Sequence, residues 1–347
     1  MSVEPTTRPD TDLSASLSTT ASAAISDFHT QLSHAHGRGR QVRPRLFLEV
    51  YAALSHREKH PHLRVTERPE IQQVAHAIEH LHTAFLIHDD VIDHDTMRRG
   101  HTNINGHFEL VALSSGASAA DAHTLGNTAG ILGGVLALTE ALMQVAALDF
   151  PQRQRQRLLT AFQEAISLSA LGELLDVHSA TIPAPTPMTD TITIAELKTA
   201  EYSFVLPMRL AAMMADHDDA STDALAGVGR HLGVAYQLHD DLNGVFAPTS
   251  VTGKEVGADL RENKDTLLIA HARTTDAWPE LERLLGPTIT PLGVMRAQEL
   301  LIEAGSARFM EQQIRDHLCI AMTTAHEHNL ETSDIPILNE LIEGLAS

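Results

Sequence analysis

Three aspartates follow an apolar run in the stretch EHLHTAFLIHDDVIDHDTMRRG. If this stretch is helical, Asp89 and Asp93 lie one turn apart on one face, and Asp90 lies about 100° round from Asp89. Clustered carboxylates repel one another, so they need cations, and hard oxygen ligands without cysteine suit Mg²⁺ and phosphate oxygens. Arg98 and Arg99 follow, and guanidinium forks match phosphate. The stretch predicts a magnesium and polyphosphate site.

A second acidic pair, Asp240 and Asp241, ends another apolar run in YQLHDDLNG, and the chain continues through GKEVGADL to Lys264 and Thr266. One such pair is more often an acidic helix end in solvent. Two pairs, each followed by basic residues, favour two facing helices that hold cations between their carboxylates, with phosphates in the middle and lysines around the rim.

The composition restricts the class of protein. The 347 residues are 43% hydrophobic and only 4% aromatic, so aliphatic side chains and alanine would form the core. A net charge of −20 argues against nucleic acid or an anionic membrane as a partner. The single cysteine, Cys319, excludes an internal disulfide and fits a reducing cytoplasm. We predict a soluble, cytoplasmic protein with no transmembrane segment.

The hydrophobic pattern predicts an all-α protein, because no run alternates as a strand does. Residues 1–20 are predicted to be a disordered tail and residues 21–347 one helical domain. Gly130, Gly133 and Gly134 would let helices approach closely. Loops are predicted at 100–105, 179–192 and 247–263, and the longer helices at 21–33, 45–55, from 69 onward, 124–147, 152–178, 194–216 and 220–245.

A basic bend precedes the second of these helices. The segment reads Gly39-Arg40-Gln41-Val42-Arg43-Pro44, and a basic, glycine-containing bend that opens into an apolar helix is a candidate anion-binding loop. Alone, it could equally be a turn in solvent.

The two acidic segments resemble the first and second aspartate-rich motifs of the trans-isoprenyl diphosphate synthases, the polyprenyl synthetase family, and are most like those of geranylgeranyl diphosphate synthases. The first is DDxxD followed by Arg-Arg-Gly, and the second is Gln-x-x-Asp-Asp continuing into GKxxGxDL. The resemblance begins at roughly Gly37 and extends to the C-terminal helices. It implies a helical bundle of the isoprenoid synthase type around a central apolar cavity, and a homodimer.

The resemblance also implies a reaction. An allylic diphosphate, bound through three Mg²⁺ per active site, would lose its diphosphate and leave an allylic carbocation. The double bond of isopentenyl diphosphate would attack this carbocation, and loss of a proton would give a product five carbons longer. Metals and basic residues stabilise the charge on the leaving diphosphate. The carbocation must be kept from water, so apolar helix surface should line the rest of the cavity.

The same resemblance assigns roles to individual residues. Asp89, Asp93 and Asp240 would be metal ligands, with Asp90 and Asp241 supporting them. Thr199 and Gln237 would form hydrogen bonds near the reacting carbon. Four basic residues would hold the allylic diphosphate: Arg98, Lys198, Lys254 and Lys264. Four would bind isopentenyl diphosphate: Arg40, Arg43, His82 and Arg99.

Three positions depart from the family pattern. Arg40 stands where lysine is usual, which keeps the charge but changes its geometry. Gly244 stands where many members have a third aspartate, so we expect that metal shell to lose a carboxylate and bind metal more weakly. Asn263 stands where glycine is usual, with little effect.

By the same resemblance, product length would depend on side chains one turn before Asp89. Phe85 is bulky and Ala84 is small, and in the family bulky aromatics here shorten the product. One aromatic and one small residue favour geranylgeranyl over farnesyl diphosphate. Plain core packing of Phe85 is an equally good interpretation.

Other classes of protein explain fewer residues. The His-Asp doublets at 88–89 and 239–240 are typical of HD-type phosphohydrolases, but such a site leaves Arg98 and Arg99 unexplained. A class I terpene cyclase would not need the isopentenyl diphosphate pocket. A di-iron bundle needs a second Glu-x-x-His besides the one at 79–82. A regulatory subunit of a heteromeric synthase would usually lose one acidic motif.

Overall fold

The structure is a computed structural model, and it describes residues 18–36, 41–55, 68–182, 184–249, 255–332 and 335–346. In these ranges the elements are helices apart from one short hairpin, which confirms the all-α prediction. The strands are β1 (Met97–Arg98) and β2 (His101–Thr102). The longer helices are α1 (Thr19–Ala35), α2 (Val42–Ser55), α3 (Pro69–Ile92), α4 (Ile104–Ser114), α5 (Ala119–Ala146), α6 (Gln152–Thr181), α7 (Met188–Ala195), a π-helix (Glu196–Val205), α8 (Leu206–Met214) and α9 (Asp219–Phe246). The C-terminal helices are α10 (Ala258–Glu262), α11 (Leu267–Ala272), α12 (Trp278–Leu281), α13 (Pro291–Glu303), α14 (Ser306–Glu327) and α15 (Pro336–Ala346).

Some predicted boundaries are wrong. The Ser18 side chain accepts a hydrogen bond from the Ala21 amide and caps α1, so the last two residues of the predicted tail are helical. Residues 1–17 lie outside the described ranges. The predicted loop at 100–105 contains β2, and the one at 179–192 is shortened because α7 begins at Met188.

The chain divides into two compact units, residues 1–40 with 83–140 and residues 41–82 with 141–347. The prediction of a single domain over residues 21–347 therefore stays a prediction. A cluster of apolar side chains from α1, α3, α4 and α5 forms the core of the first unit: Leu32, Ala84, Ile87, Ile104, Phe108, Ala129 and Ala137.

Two glycines of α5 let the C-terminal end of α3, which carries the aspartates, pack closely against α5 within the first unit. A Cβ at Gly130 would lie 2.3 Å from Cγ2 of Val91, and one at Gly134 would lie 2.1 Å from Nε2 of His88. The helices can approach this closely only because both positions lack a side chain. The predicted close approach at these glycines is confirmed, and it fixes the residues that flank Asp89 and Asp90.

In the second unit, α9 packs against α14, α8 and the π-helix, and α6 covers the π-helix. The wide π-helix fits because glycines face it from both neighbours. A Cβ at Gly172 of α6 would lie 2.3 Å from the amide nitrogen of Lys198, and one at Gly229 of α9 would lie 2.6 Å from the carbonyl oxygen of Phe204. Backbone atoms cannot yield as a flexible side chain can, so these two glycines position the segment that carries Lys198 and Thr199.

Two helices, α5 and α6, are long and apolar enough to cross a membrane by length and composition alone. The prediction that the protein has no transmembrane segment therefore stays a prediction. In each helix a part of the most apolar window is buried inside the protein, 39% in α5 and 33% in α6, and core helices of soluble proteins pass the same test.

Replacing Gly172 with alanine should destabilise the protein although alanine favours helices. The new methyl group would meet the Lys198 backbone, and overpacking of this kind costs about 1–3 kcal/mol. Gly227 of α9 is the matched control, since a Cβ there has no atom within 4 Å. Gly227→Ala should raise the free energy of unfolding by up to about 1 kcal/mol. Urea denaturation of both variants checks this, and an equal response would contradict the close contact.

Candidate active site

The three carboxylates of the first motif lie at the C-terminal end of α3. The Asp93 amide donates a hydrogen bond to the Asp89 carbonyl oxygen at 2.8 Å, so the two residues remain one helical turn apart. Asp93 is exposed and the Asp89 side chain is 27% exposed, whereas the Asp90 side chain is only 5% exposed. Asp89 and Asp93 thus face solvent, as the residue spacing predicts, and Asp90 points into the protein.

The Arg-Arg-Gly segment forms a tight hairpin that the sequence analysis missed. Met97 lies opposite Thr102 and Arg98 opposite His101, which leaves Arg99 and Gly100 as a two-residue turn. Both have positive φ, 53° and 76°, as the I′ turn of such hairpins requires. In the sequence, the Arg99-Gly100 pair could have indicated a hairpin turn. The flanking strands are only two residues long, so no alternation of polar and apolar residues marks them as strands.

The hairpin directs Arg98 at the carboxylates. Its Nε donates to Oδ1 of Asp90 at 2.6 Å and its second guanidinium nitrogen donates to Oδ2 of Asp89 at 3.2 Å. Burial raises the pKa of Asp90 to about 6, against the opposing effect of the Arg98 charge. A cavity of about 80 Å³ beside this group is lined by Asp90, Arg98 and Arg99 among others. The first motif is therefore a charge-compensated cluster within the first unit.

The second motif forms a hydrogen-bonded row in the second unit. The Thr199 hydroxyl donates to Oε1 of Gln237 at 2.5 Å, and Nε2 of Gln237 donates to Oδ1 of Asp241 at 2.8 Å. Burial, together with the nearby charges of Asp259 and Asp240, raises the pKa of Asp241 to about 8, although the Gln237 hydrogen bond and the Lys264 charge act to lower it. Asp240 is exposed. The fold thus brings Thr199 of the π-helix next to Gln237 and Asp241, which lie one turn apart on α9.

Lys198 lies between two carboxylates of α6 that the sequence analysis did not select. Its Nζ is 3.0 Å from Oε2 of Glu173 and 2.5 Å from Oδ2 of Asp176. Glu173 and Asp176 are three residues apart and share a helix face. This spacing is the sequence feature that could have identified Glu173 and Asp176 as partners of a basic side chain.

The carboxylate of Asp259 fills the space beside Gly244. A Cβ at Gly244 would lie 2.1 Å from Oδ2 of Asp259. The loss of a carboxylate from the metal shell stays a prediction, although α10 brings the Asp259 carboxylate next to Gly244. Lys264 also lies here, with its Nζ 3.5 Å from Oδ1 of Asp259 and 3.2 Å from Oε2 of Glu262.

Two of the residues predicted to bind isopentenyl diphosphate meet in the second unit. One terminal nitrogen of Arg43 lies 3.1 Å from Nε2 of His82, and the other donates to the Tyr202 hydroxyl at 3.2 Å. Nε of Arg43 donates to the Ser203 hydroxyl at 3.0 Å, and the guanidinium lies over the Tyr202 ring at 4.9 Å. Tyr202 and Ser203 belong to the π-helix, whose course the sequence did not predict.

The structure describes only some of the remaining predicted residues. Arg40 and Lys254 lie outside the described residues. Ala84 is buried in the core of the first unit, and Phe85 is partly buried. Their roles in setting product length stay predictions.

The donor atoms of both motifs suit Mg²⁺. They are carboxylate oxygens, and Asp89, Asp93 and Asp240 present theirs where solvent can reach them. Mg²⁺ prefers one or two carboxylates together with waters and substrate phosphates. Burial raises the pKa of Asp90 and of Asp241 despite the nearby Arg98 and Lys264, so a bound cation would favour their ionised forms. These residues fit the ion.

Comparison with known proteins decides the family. The model of the family described as "Polyprenyl synthetase" matches residues 26–290. The chain belongs to the polyprenyl synthetase family. This confirms the resemblance seen in the two acidic motifs.

The relatives carry related names. The chain is 34% identical over 195 residues to octaprenyl diphosphate synthase of Haemophilus influenzae, a match that spans 56% of this chain and 52% of that protein. It is 29% identical to geranylgeranyl diphosphate synthase of Mycobacterium tuberculosis, over 78% of this chain and 72% of that one. The fold is similar to a crystal structure of geranylgeranyl pyrophosphate synthase from Corynebacterium glutamicum complexed with isoprenyl diphosphate and magnesium, with a TM-score of 0.82, 24% identity and coverage of 93% and 91%.

Replacing Arg98 with alanine should destabilise the protein more than replacing Arg99. Without Arg98, the buried Asp90 carboxylate loses its charged donor, and leaving a buried group without such a partner costs about 1–3 kcal/mol. Arg99 is exposed at the turn. Chemical denaturation at pH 8 measures both variants, and equal losses of unfolding free energy would show that the Arg98–Asp90 contact does not stabilise the fold.

Proposed function

We propose that the protein is a Mg²⁺-dependent prenyltransferase that condenses isopentenyl diphosphate with an allylic diphosphate (dimethylallyl, geranyl or farnesyl) to a longer all-trans prenyl diphosphate. The observation that carries this proposal is that each acidic motif has a basic side chain beside it that could bind phosphate. Arg98 contacts Asp89 and Asp90, and Lys264 contacts Asp259 near Asp241. The names of the relatives agree with this chemistry.

The carboxylates and cations would bind the allylic diphosphate together. Asp89, Asp93 and Asp240 would hold Mg²⁺, which when bound neutralises the diphosphate and makes it a better leaving group. Arg98 and Lys198 now contact carboxylates of the protein itself. Phosphate oxygens offer both side chains equally good acceptors, so they can turn to the substrate without losing charged partners.

Neutral dipoles would face the carbon from which the diphosphate departs. The Thr199 hydroxyl donates to Gln237, so the lone pairs of Thr199 and Gln237 carry partial negative charge near the second motif. The hydrogen bond from Gln237 to Asp241 holds the amide in one orientation. Fixed dipoles of this kind stabilise developing positive charge without reorganising.

Arg43 and His82 would bind isopentenyl diphosphate. Their contact at 3.1 Å, together with the Tyr202 and Ser203 hydroxyls, holds the guanidinium in a fixed orientation. A guanidinium held this way can bind a diphosphate with little loss of conformational entropy. We extend the pocket to Arg99 from the resemblance, as we do to Arg40.

We further propose a geranylgeranyl product, formed by a cytoplasmic homodimer. Phe85 is partly buried one turn before Asp89, where an aromatic ring could stop the growing chain. The relatives are named for both octaprenyl and geranylgeranyl products, so family membership alone leaves the length open. Helices α5 and α6 each expose apolar side chains that a second subunit could cover: Ile131, Leu132, Val135 and Leu136 on α5, and Leu171, Leu174 and Leu175 on α6.

The purified protein with Mg²⁺ should join isopentenyl diphosphate to an allylic diphosphate, with the product identified by mass spectrometry of the extracted prenyl alcohol. Asp89→Ala and Asp240→Ala should each lower turnover by several orders of magnitude, whereas Asp149→Ala, at an exposed loop position, should not. Near-normal rates in either motif variant would rule out the mechanism. Consumption of the allylic substrate without isopentenyl diphosphate would indicate a cyclase.

Replacing Phe85 with alanine should lengthen the product by one or more five-carbon units, because the ring would no longer stop the chain. The same mass analysis measures the effect. Phe309→Ala, which removes a partly buried ring stacked on His271 in the second unit, is the control and should leave the length unchanged. An unchanged product from Phe85→Ala would assign that ring to packing alone.

A further inference from the structure

A cavity of about 460 Å³ lies in the second unit, between the N-terminal part of α6, α8 and the first turn of α9. Its volume is in the range of small-molecule sites, about 300–1,000 Å³. The second acidic motif is at the other end of α9. Asp240 follows Thr222, which lines the cavity, by 18 residues, or about 27 Å along the helix. This cavity is therefore separate from the second motif.

Arginine side chains line the cavity. Along α6, the lining residues Arg153, Arg157, Thr160 and Glu164 recur every three or four residues, so they share one face of the helix. Arg209 of α8 lines the cavity as well. Three guanidinium groups thus surround one space, and guanidinium groups bind oxyanions through paired hydrogen bonds.

The N-terminus of α6 adds to this positive charge. Its N-cap, Pro151, makes no side-chain hydrogen bond to the helix, and the first turn contains no acidic residue. Arg153 lies in that turn, although the helix dipole disfavours a positive charge there. Within the described ranges, Arg153 has no ion-pair partner. A bound anion would compensate both the arginine and the helix dipole.

The other two arginines have partners that a ligand can replace. A terminal nitrogen of Arg157 donates to Oδ1 of Asp219 at 2.7 Å, and the Asp219 side chain is 89% exposed. Arg209 pairs with Glu164, whose side chain is 48% exposed. Ion pairs as exposed as these contribute little to stability. Both guanidinium groups can therefore turn to an anion in the cavity at low cost.

A buried hydroxyl group without a partner points independently to a ligand. Thr222 is 4% exposed, and among the described residues its hydroxyl has no hydrogen-bond partner. A helical threonine commonly donates to the carbonyl oxygen four residues earlier. Six others in this protein do so: Thr30, Thr124, Thr128, Thr139, Thr181 and Thr193. Because a buried hydroxyl normally has a partner, a polar ligand atom would complete the Thr222 environment.

The rest of the lining restricts the class of ligand. A phosphate group offers three strong acceptor oxygens to the arginines, but it fills only a part of the cavity. The side chains of Gln156, Thr160 and Asp223 line the remainder and suit hydroxyl groups. Of the described residues in the lining, only Ala161 and Met213 are apolar and none is aromatic. The cavity therefore does not suit a prenyl chain or a stacked nucleobase.

We propose that this cavity is a binding site for a sugar phosphate. The three arginines hold the phosphate group, and the polar side chains of α6 and α9 bind the sugar hydroxyl groups, with the Thr222 hydroxyl among them. This inference does not rest on the proposed function.

Isothermal titration calorimetry tests the proposal, in a buffer with EDTA and without phosphate so that no divalent metal contributes. The probes are glucose 6-phosphate, fructose 6-phosphate and ribose 5-phosphate, with inorganic phosphate, citrate and glucose for comparison. At least one sugar phosphate should bind about 10-fold or more tightly than inorganic phosphate, because its hydroxyl groups add hydrogen bonds. Glucose should not bind, because it lacks the charge that the arginines recognise.

Variants of two lining residues locate the binding. Thr222→Val and Arg153→Gln should each weaken sugar phosphate binding by about 10-fold or more. Thr222→Val should not lower the melting temperature without ligand, because the hydroxyl makes no hydrogen bond to lose. Thr222→Ser, which keeps the hydroxyl, should bind as the wild type does. Arg308→Gln is the control for the loss of one positive charge, since Arg308 is an exposed arginine of α14 outside the cavity, and it should also bind normally.

Four results would overturn the proposal: no sugar phosphate binds, inorganic phosphate or citrate binds as tightly as the best sugar phosphate, Thr222→Val binds as the wild type does, or Arg153→Gln and Arg308→Gln bind equally well. Prenyl transfer by the purified protein is measured separately, so the failure of this inference leaves the proposed function untouched.

Discussion

Charge compensation of carboxylates withdrawn from water is the interaction on which the rest of this structure depends. Burial penalises the ionised forms of Asp90 and Asp241 and raises the pKa of each. Arg98 compensates the first carboxylate by direct contact, whereas Gln237 donates to the second and Lys264 lies near it. A divalent cation with phosphate would add positive charge beside both carboxylates and so favour their ionised forms.

Backbone packing determines where these charges lie. The α5 glycines seat the end of α3, and the two-residue turn after Arg98 returns the chain so that its guanidinium reaches the carboxylates. In the second unit, Gly172 and Gly229 admit the π-helix that carries Lys198 and Thr199. At these positions, a glycine lets a neighbouring segment pack closely enough to bring its functional side chains into the site.

The sequence predicted the helices and the acidic motifs because both leave strong local patterns. Apolar periodicity locates α3 and α9, and the spacing of Asp89 and Asp93 fixes their common face. It could not predict the hairpin at Arg99, whose strands are two residues long, or the π-helix, whose hydrophobic pattern is close to that of an α-helix. From the sequence, Gly244 is expected to leave the second motif with one carboxylate fewer. Only the folded chain shows that the Asp259 carboxylate lies next to that glycine.

The most direct test of the central claim is a crystal structure of the protein grown with Mn²⁺ and inorganic pyrophosphate, in which anomalous scattering locates the metal. If both acidic motifs bind divalent cations for a diphosphate, anomalous peaks will lie within coordination distance of carboxylate oxygens of Asp89 or Asp93 and also of Asp240. Pyrophosphate bound without metal at either motif, or metal at one motif alone, would contradict it.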